Sequence, residues 1–379
     1  MPKYTGPAEA SEPVPKYTVD DLLAQAQSSI DTLNYDLAYR FCQRAVEMAP
    51  THTGALEQLA VVELEIGQYE SALQHLRQCI TLVPDTGFSK YMYLGQMSTE
   101  MEAINYFNQG VAIMKRELEQ LTAVGDEAAA TAVRSQMASA LCSMAEIYLT
   151  DCCFQPEAES SCEKYLNEAL TLAPENADVH QLLASVRLSQ QRSDEAKECL
   201  LRSIALWSSQ GPDSPNYPSY DARIATTKLL LELGLYSDAL KLLEALQKED
   251  DQTVDLWYLY GWTYYCMAEE KQAVLNGQDN GASTTGDVED EADDDEEGVT
   301  ALLTSAAECL MTAVQIYERI GYDDEGLLAH ARELFDIINQ RVPLASLQDQ
   351  EEPDDGGGGD EGWEDLPSSG DEEDMAVDA

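Results

Sequence analysis

The stretch from Asp255 to Glu270 holds the side chains best suited to chemistry. Asp255, Tyr258, Trp262, Tyr265 and Glu269 follow one another at intervals of three or four, so an α-helix sets them along one side. Carboxylates at such positions pair with Lys and Arg, bidentately with Arg. Aromatic faces stack on guanidinium groups or hold aliphatic stems. The chemistry on offer is recognition of a cation-rich segment.

Reactive chemistry lacks its residues. The four histidines (His52, His75, His180 and His330) are scattered, and none stands at metal-ligand spacing from a Cys or a carboxylate. His180 is expected at a helical core position. The run Gly356–Gly359 has no Lys and no flanking strand or helix, so it is not a phosphate loop. There is no defensible Ser-His-Asp or Cys-His arrangement. Nine cysteines contain no CxxC, and Cys42, Cys79, Cys162, Cys199 and Cys309 fall on apolar positions of helical patterns. Buried free thiols in a reducing compartment, cytosol or nucleus, are the expectation. No enzyme activity, no cofactor and no metal site is expected.

The chain has 379 residues, 71 acidic and 22 basic, for a formal net charge of −49. Phosphate backbones and anionic membrane surfaces repel such a surface, so no direct nucleic-acid partner and no membrane partner is expected. Cationic partners are attracted, at a rate that falls with salt. Two segments without Lys or Arg, 276–298 and 342–379, hold 24 of these charges. Neither can bury a core, and both are expected to be disordered. They would steer or shield a basic partner. Met1–Tyr17 lacks the apolar core of a signal peptide and is expected to be a disordered leader.

The elements that carry these residues are helices. Apolar residues recur at i, i+3, i+4 and i+7, and strand-like alternation is missing. Pro50 and Pro84 lie 34 residues apart, each closing a helix with small residues at fixed offsets: Ala38, Cys42 and Ala45, then Ala72, Leu76 and Cys79. A 34-residue period of this form is the tetratricopeptide (TPR) signature. Small side chains let the two helices of a unit cross closely, and Pro stops the second helix. The expected fold is all-α, a TPR-like helical-repeat superhelix over 18–341, with about seven helix pairs. A capping helix over about Asp323–Arg341 would cover the last repeat. Trp257, Tyr260, Gly261 and Tyr264 form the best first helix of all, and they assign its packing to that side. Tyr258, Trp262 and Tyr265 remain on the other side.

The TPR resemblance implies that certain positions of each first helix line a concave groove. In this chain those positions include Glu57, Glu65, Glu146, Asp178, Asp221, Glu232, Asp255, Tyr258, Trp262 and Tyr265, with Glu269 continuing the last helix. An acidic groove with aromatics suits an extended basic peptide. The Lys, Asn and Arg clamp that grips acidic chaperone tails is missing: Leu23, Gln27 and Gln58 stand at its places.

The layout as a whole comprises a short leader, seven degenerate repeats, an acidic insertion before the last repeat helix, and an acidic tail with WEDLPSSGDEED. In this it resembles the fungal assembly chaperones dedicated to large-subunit ribosomal protein L-four. The resemblance implies that a basic ribosomal protein is bound through its long internal loop in the concave groove. The client would be kept soluble and off RNA, then delivered to nuclear pre-ribosomes. It further implies a monomer forming a 1:1 complex in cytoplasm and nucleus. The residues alone leave two other readings open: a histone or general basic-protein chaperone, and a TPR scaffold subunit of a multiprotein complex.

Overall fold

The computed structural model of the chain describes residues 17–212, 214, 217–278 and 289–342. Leader residues 1–16, part of the loop 208–218, the middle of the acidic insertion and the tail from 343 onward lie outside the described residues. The described residues form fifteen α-helices and no strand. They fall into two compact units, Met1–Glu249 and Asp250–Ala379.

The first unit holds six helix pairs. They are α1 (Val19–Asp31) with α2 (Tyr35–Met48), α3 (Thr53–Glu65) with α4 (Tyr69–Leu82), and α5 (Ser89–Met97) with α6 (Glu100–Val124). The next three are α7 (Glu127–Leu149) with α8 (Ala158–Leu172), α9 (Ala177–Ser189) with α10 (Ser193–Trp207), and α11 (Tyr220–Glu232) with α12 (Tyr236–Glu249). The second unit pairs α13 (Val254–Gln278) with α14 (Glu289–Ile320) and ends in α15 (Glu325–Arg341). Seven pairs and a terminal helix match the expected organisation.

Local chemistry explains the boundaries. Thr18 and Asp21 form a reciprocal capping box at the start of α1. Asn34, Asn176, Ser219 and Asp324 cap α2, α9, α11 and α15 with side-chain oxygens. Pro50, Pro84 and Pro174 stand just past the ends of α2, α4 and α8. Four turns between the helices of a pair share one device: a residue with positive φ, followed by an amide that bonds back five residues. Gly67 and Gly234 fill that position in two of them, and Leu33 (φ 57°) and Gln191 (φ 60°) in the others. The closing bonds run from Asn34 N to Ser29 O, Gln68 N to Glu63 O, Arg192 N to Arg187 O and Leu235 N to Leu230 O, at 2.7–2.9 Å. A leucine in this conformation is strained by about 1 kcal/mol.

The core is narrow and runs between paired helices. Ala38, Ala45, Ala60 and Ala72 are fully buried where helices cross. Cys42, Cys79, Cys142, Cys152 and Cys162 are buried thiols, whereas Cys153 is exposed. Burial pushes Cys42 up to about 12, so it stays a protonated packing group. The apolar stretch of α14 is a packing face of the same kind, with Leu303, Ala306, Leu310 and Ala313 buried.

Two expectations are corrected. Segment 276–298 is not disordered at its ends, because α13 runs through Gln278 and α14 starts at Glu289. An acidic sequence suits a helix N-terminus, where the macrodipole favours negative charge. His180 is not a core residue: Val179 is buried beside it, and His180 hydrogen-bonds the Pro174 carbonyl at 2.9 Å.

Candidate binding face of the first helices

In the first unit the first helices of successive pairs adjoin. The Gln58 side chain of α3 donates to Gln27 Oε1 (3.2 Å) of α1. The Tyr93 phenol of α5 is pushed up by burial first, then by Glu65 and Glu57 of α3. A cleft of about 270 Å³ between α5 and α7 is floored by Met92, Tyr93, Gln136 and Ser143. Glu146 of α7 senses Asp178 of α9. Thr226 Oγ1 of α11 donates to Gln181 Oε1 of α9 at 2.9 Å. The six first helices therefore share a face.

Six predicted carboxylates sit on these helices, in unlike surroundings. Glu57 lines a cleft of about 430 Å³ with Leu23, Gln27, Gln58, Val61 and Tyr93. Its carboxyl is pushed up by burial, with Lys90 working the other way at 3.9 Å. Lys90 is only 1 % exposed and donates to the carbonyls of Thr86 and Gly87. The cation in this cleft is thus consumed internally, in keeping with the missing acidic-tail clamp. Glu65 accepts from the Tyr35 phenol.

Glu146 and Asp178 lack a cationic partner among the described residues. The Glu146 carboxyl is pushed up by desolvation first and by Asp178 second. A carboxylate raised by a like-charged neighbour is in an unfavourable arrangement that an incoming cation relieves. Asp221 and Glu232, near opposite ends of α11, are exposed and likewise lack a cationic partner among the described residues.

The second unit departs from expectation. Tyr258, expected on an open face, is 8 % exposed, and its hydroxyl is 2.7 Å from His330 Nδ1 of α15. Burial pushes its phenol up to about 12. Trp262 is half-buried, edge-on to the same imidazole. Asp255 accepts from Tyr322 Oη at 2.9 Å, and Glu269 is paired with Arg341 at the end of α15. Tyr265, beside that pair, is half-buried. The Asp255, Tyr258, Trp262, Tyr265 and Glu269 side is therefore engaged from within the unit. Its acids already hold the arginine and hydroxyl partners expected of a ligand. The cause is α15, which buries Ala331, Leu334 and Ile338.

Sequence reasoning missed three buried ions, the first being Arg223 of α11, which is paired with Glu249 at 2.6 Å. Glu63 lies in the core of α3 and meets His75 Nδ1 at 2.7 Å. Lys90 is the third. For Glu63 and Lys90, a lone charge within the apolar runs LAVVELE and FSKYMYLG was the available signal.

These groups set a pH dependence. Glu57, Glu63 and Glu146 are all pushed up, burial being the first cause in each. A raised folded value means that the folded chain takes up protons first as pH falls. The linked stability is complete below the unfolded value and lost as pH rises through the folded one. Asp21, Glu163 and Glu195 are held low by hydrogen bonds from Thr18, Arg187 and Arg192. Their contribution is present above the unfolded value and lost as pH falls through the folded one. Unfolded carboxyls titrate near 4, so the raised set acts first. The melting temperature followed by circular dichroism is expected to rise as pH falls from neutral toward the unfolded carboxyl value, then to fall below about pH 4. A steady decline from pH 7.5 downward would contradict this assignment.

Paired antiparallel helices with aligned first helices define a TPR-like helical-repeat protein. No family model matches the chain. It is 34 % identical to a probable assembly chaperone of rpl4 from Schizosaccharomyces pombe, over 78 % of this chain and 84 % of that protein. It is 30 % identical to a probable assembly chaperone of rpl4 from Emericella nidulans, over 93 % of this chain and 89 % of that one. A solved structure titled as residues 1–338 of the assembly chaperone of RpL4 (Acl4) superposes with a TM-score of 0.65 at 27 % identity, over 68 % of this chain and 99 % of that chain. The chain belongs to the family of assembly chaperones of rpl4, which are chaperones and not enzymes.

Proposed function

We propose that the chain is a dedicated chaperone of the ribosomal protein rpl4, and that it holds a basic, extended internal loop of this client on the face of its first helices. The observation that carries the reading is the shared face of the six first helices, on which Glu146 of α7 and Asp178 of α9 have no cationic partner among the described residues. Family membership supports the identity of the client, and the charge of −49 supports its basic character. Arg and Lys side chains of the loop relieve the carboxylate repulsion through charge-assisted hydrogen bonds. Once paired, those cations no longer attract RNA phosphates, so the client stays soluble and shielded. The complex is 1:1, forms in the cytoplasm and releases its client at nuclear pre-ribosomes. The chain itself binds no nucleic acid.

The test is competition. The purified full chain is mixed with rpl4 and with equimolar core histones at physiological salt, and complex mass is measured by light scattering. Selective 1:1 capture of rpl4, displaced by a peptide of its longest basic loop, is the expected result. Equal capture of histones would show a generic basic-protein chaperone. A stable complex that the loop peptide does not displace would refute the groove assignment.

A further inference from the structure

The turns between the two helices of each pair lie along one edge of the first unit, which borders the face just described at Glu65. Tyr35 at the first turn meets Glu65 at the second. Glu65 is in turn sensed by Tyr93 of α5. The Tyr148 hydroxyl, next to the fourth turn, donates to Met101 Sδ at the third (3.8 Å). The first turn thus neighbours the second and the third neighbours the fourth, and each of the four exposes a large apolar side chain: Leu33 (73 %) with Leu37, Tyr69 (58 %), Met101 and Phe154 (97 %). The fifth turn carries Gln191 and Arg192 instead. Leu33 holds its side chain in water from a positive-φ position that Gly67 and Gly234 occupy elsewhere. Neither packing nor backbone preference accounts for a leucine there.

Each apolar residue is flanked by exposed carboxylates: Asp31 and Asp36, Glu70, Glu100 and Glu102, Asp151 and Glu157. This pattern selects the occupant. A second copy would set carboxylates against carboxylates, which is repulsive. A partner with apolar residues flanked by Lys or Arg satisfies both features. Helices pack about 8–10 Å apart, and seven residues of an α-helix rise about 10 Å, so a helix with apolar residues at heptad spacing matches successive turns. We propose that this edge is a second protein-docking surface, which takes a basic amphipathic helix.

The probe is a fluorescent Leu/Lys amphipathic helix of about three heptads, compared with a scrambled peptide of equal composition and with a Leu/Glu version. The readout is anisotropy with the full chain at physiological salt. The amphipathic Leu/Lys peptide is expected to bind at least about tenfold tighter than the scrambled one, a preference of about 1.4 kcal/mol, and the Leu/Glu peptide not at all. Leu33→Gly/Tyr69→Ser/Phe154→Ser is expected to abolish that preference without lowering the melting temperature, since Gly suits the positive φ. Glu146→Lys/Asp178→Lys, on the other face, is expected to leave it intact. Phe154→Ser alone, at a side chain in open solvent, should weaken the preference in a chain whose fold is not in question. Equal binding of scrambled and amphipathic peptides would overturn the proposal, as would a preference that survives the triple substitution. Concentration-dependent dimers lost in the triple variant would overturn the choice of occupant.

Discussion

Glu146→Lys/Asp178→Lys is expected to weaken binding of the basic rpl4 loop by two to three orders of magnitude. Each substitution removes a charge-assisted hydrogen bond and sets a cation against a cation. Together that amounts to about 3–4 kcal/mol. The stability change has the opposite sign. Neither carboxylate has a cationic partner among the described residues, and desolvation followed by the charge of Asp178 already pushes Glu146 up. The reversal breaks no native ion pair, so the melting temperature should hold or rise while binding collapses. Glu146→Gln/Asp178→Asn should lie between, and the slope of affinity against salt should flatten in both variants. Calorimetric titration with the loop peptide and a thermal melt decide the matter together. Tight binding after reversal, at low salt and unchanged helicity, would remove the face of the first helices from the binding site. Glu269→Lys is the internal contrast: its carboxylate holds Arg341, so stability falls with the substitution.

That contrast marks the limit of what the residues alone disclose. One helical side of α13 carries Asp255, Tyr258, Trp262, Tyr265 and Glu269, and this spacing is legible at once. What covers the side is not legible. Trp257, Tyr260, Gly261 and Tyr264 were assigned all the packing of α13. A first helix within a repeat stack has two neighbours, its own partner helix and the next first helix. Gly261 meets Leu310 of α14, whereas Tyr258 meets His330 of α15, and these contacts lie in different directions. An aromatic row read as a docking site is thereby a packing contact for the terminal helix. The carboxylates of the first unit stand on the first helices to which the spacing assigns them, in surroundings that range from the Lys90 contact of Glu57 to the exposed ends of α11.

The fold itself was legible from punctuation. Pro50, Pro84 and Pro174 stop second helices, and the glycines at 67 and 234 turn the chain between helices. Where a turn lacks its glycine, the local signal is weaker: Leu33 and Gln191 adopt the same positive φ because the closing amide bonds and flanking helices impose it. Segment 276–298 misled in the other direction. Its composition has no packing residues, yet helices on either side extend into it, since a helix once nucleated propagates at one hydrogen bond per residue.

Gly261→Ala is expected to destabilise the second unit, against the usual sign for a glycine within a helix. Alanine normally gains about 1 kcal/mol there. A Cβ at 261 would lie 2.6 Å from Leu310 Cγ, 2.9 Å from its Cδ2 and 3.1 Å from the Ala306 carbonyl oxygen. Leu310 is fully buried and Ala306 O is backbone, so neither yields without moving α14. Overpacking of this kind costs about 1–3 kcal/mol, and Gly261→Val should reach or exceed the upper end. Trp257 and Trp262 stand on either side of the substitution, so in a Trp207→Phe background, which silences the buried tryptophan of the first unit, fluorescence during denaturant unfolding reports on this unit. Leu310→Ala alone should also destabilise, by opening a cavity. The double variant Gly261→Ala/Leu310→Ala should fall well short of the sum, because the new methyl group enters the space that the leucine leaves. Gly298→Ala provides the control: its Cβ would meet only the flexible end of Lys271, which can swing aside. If Gly261→Ala proved neutral or stabilising, or if the two losses simply added, the close crossing of α13 and α14 would not be what the consensus glycine serves.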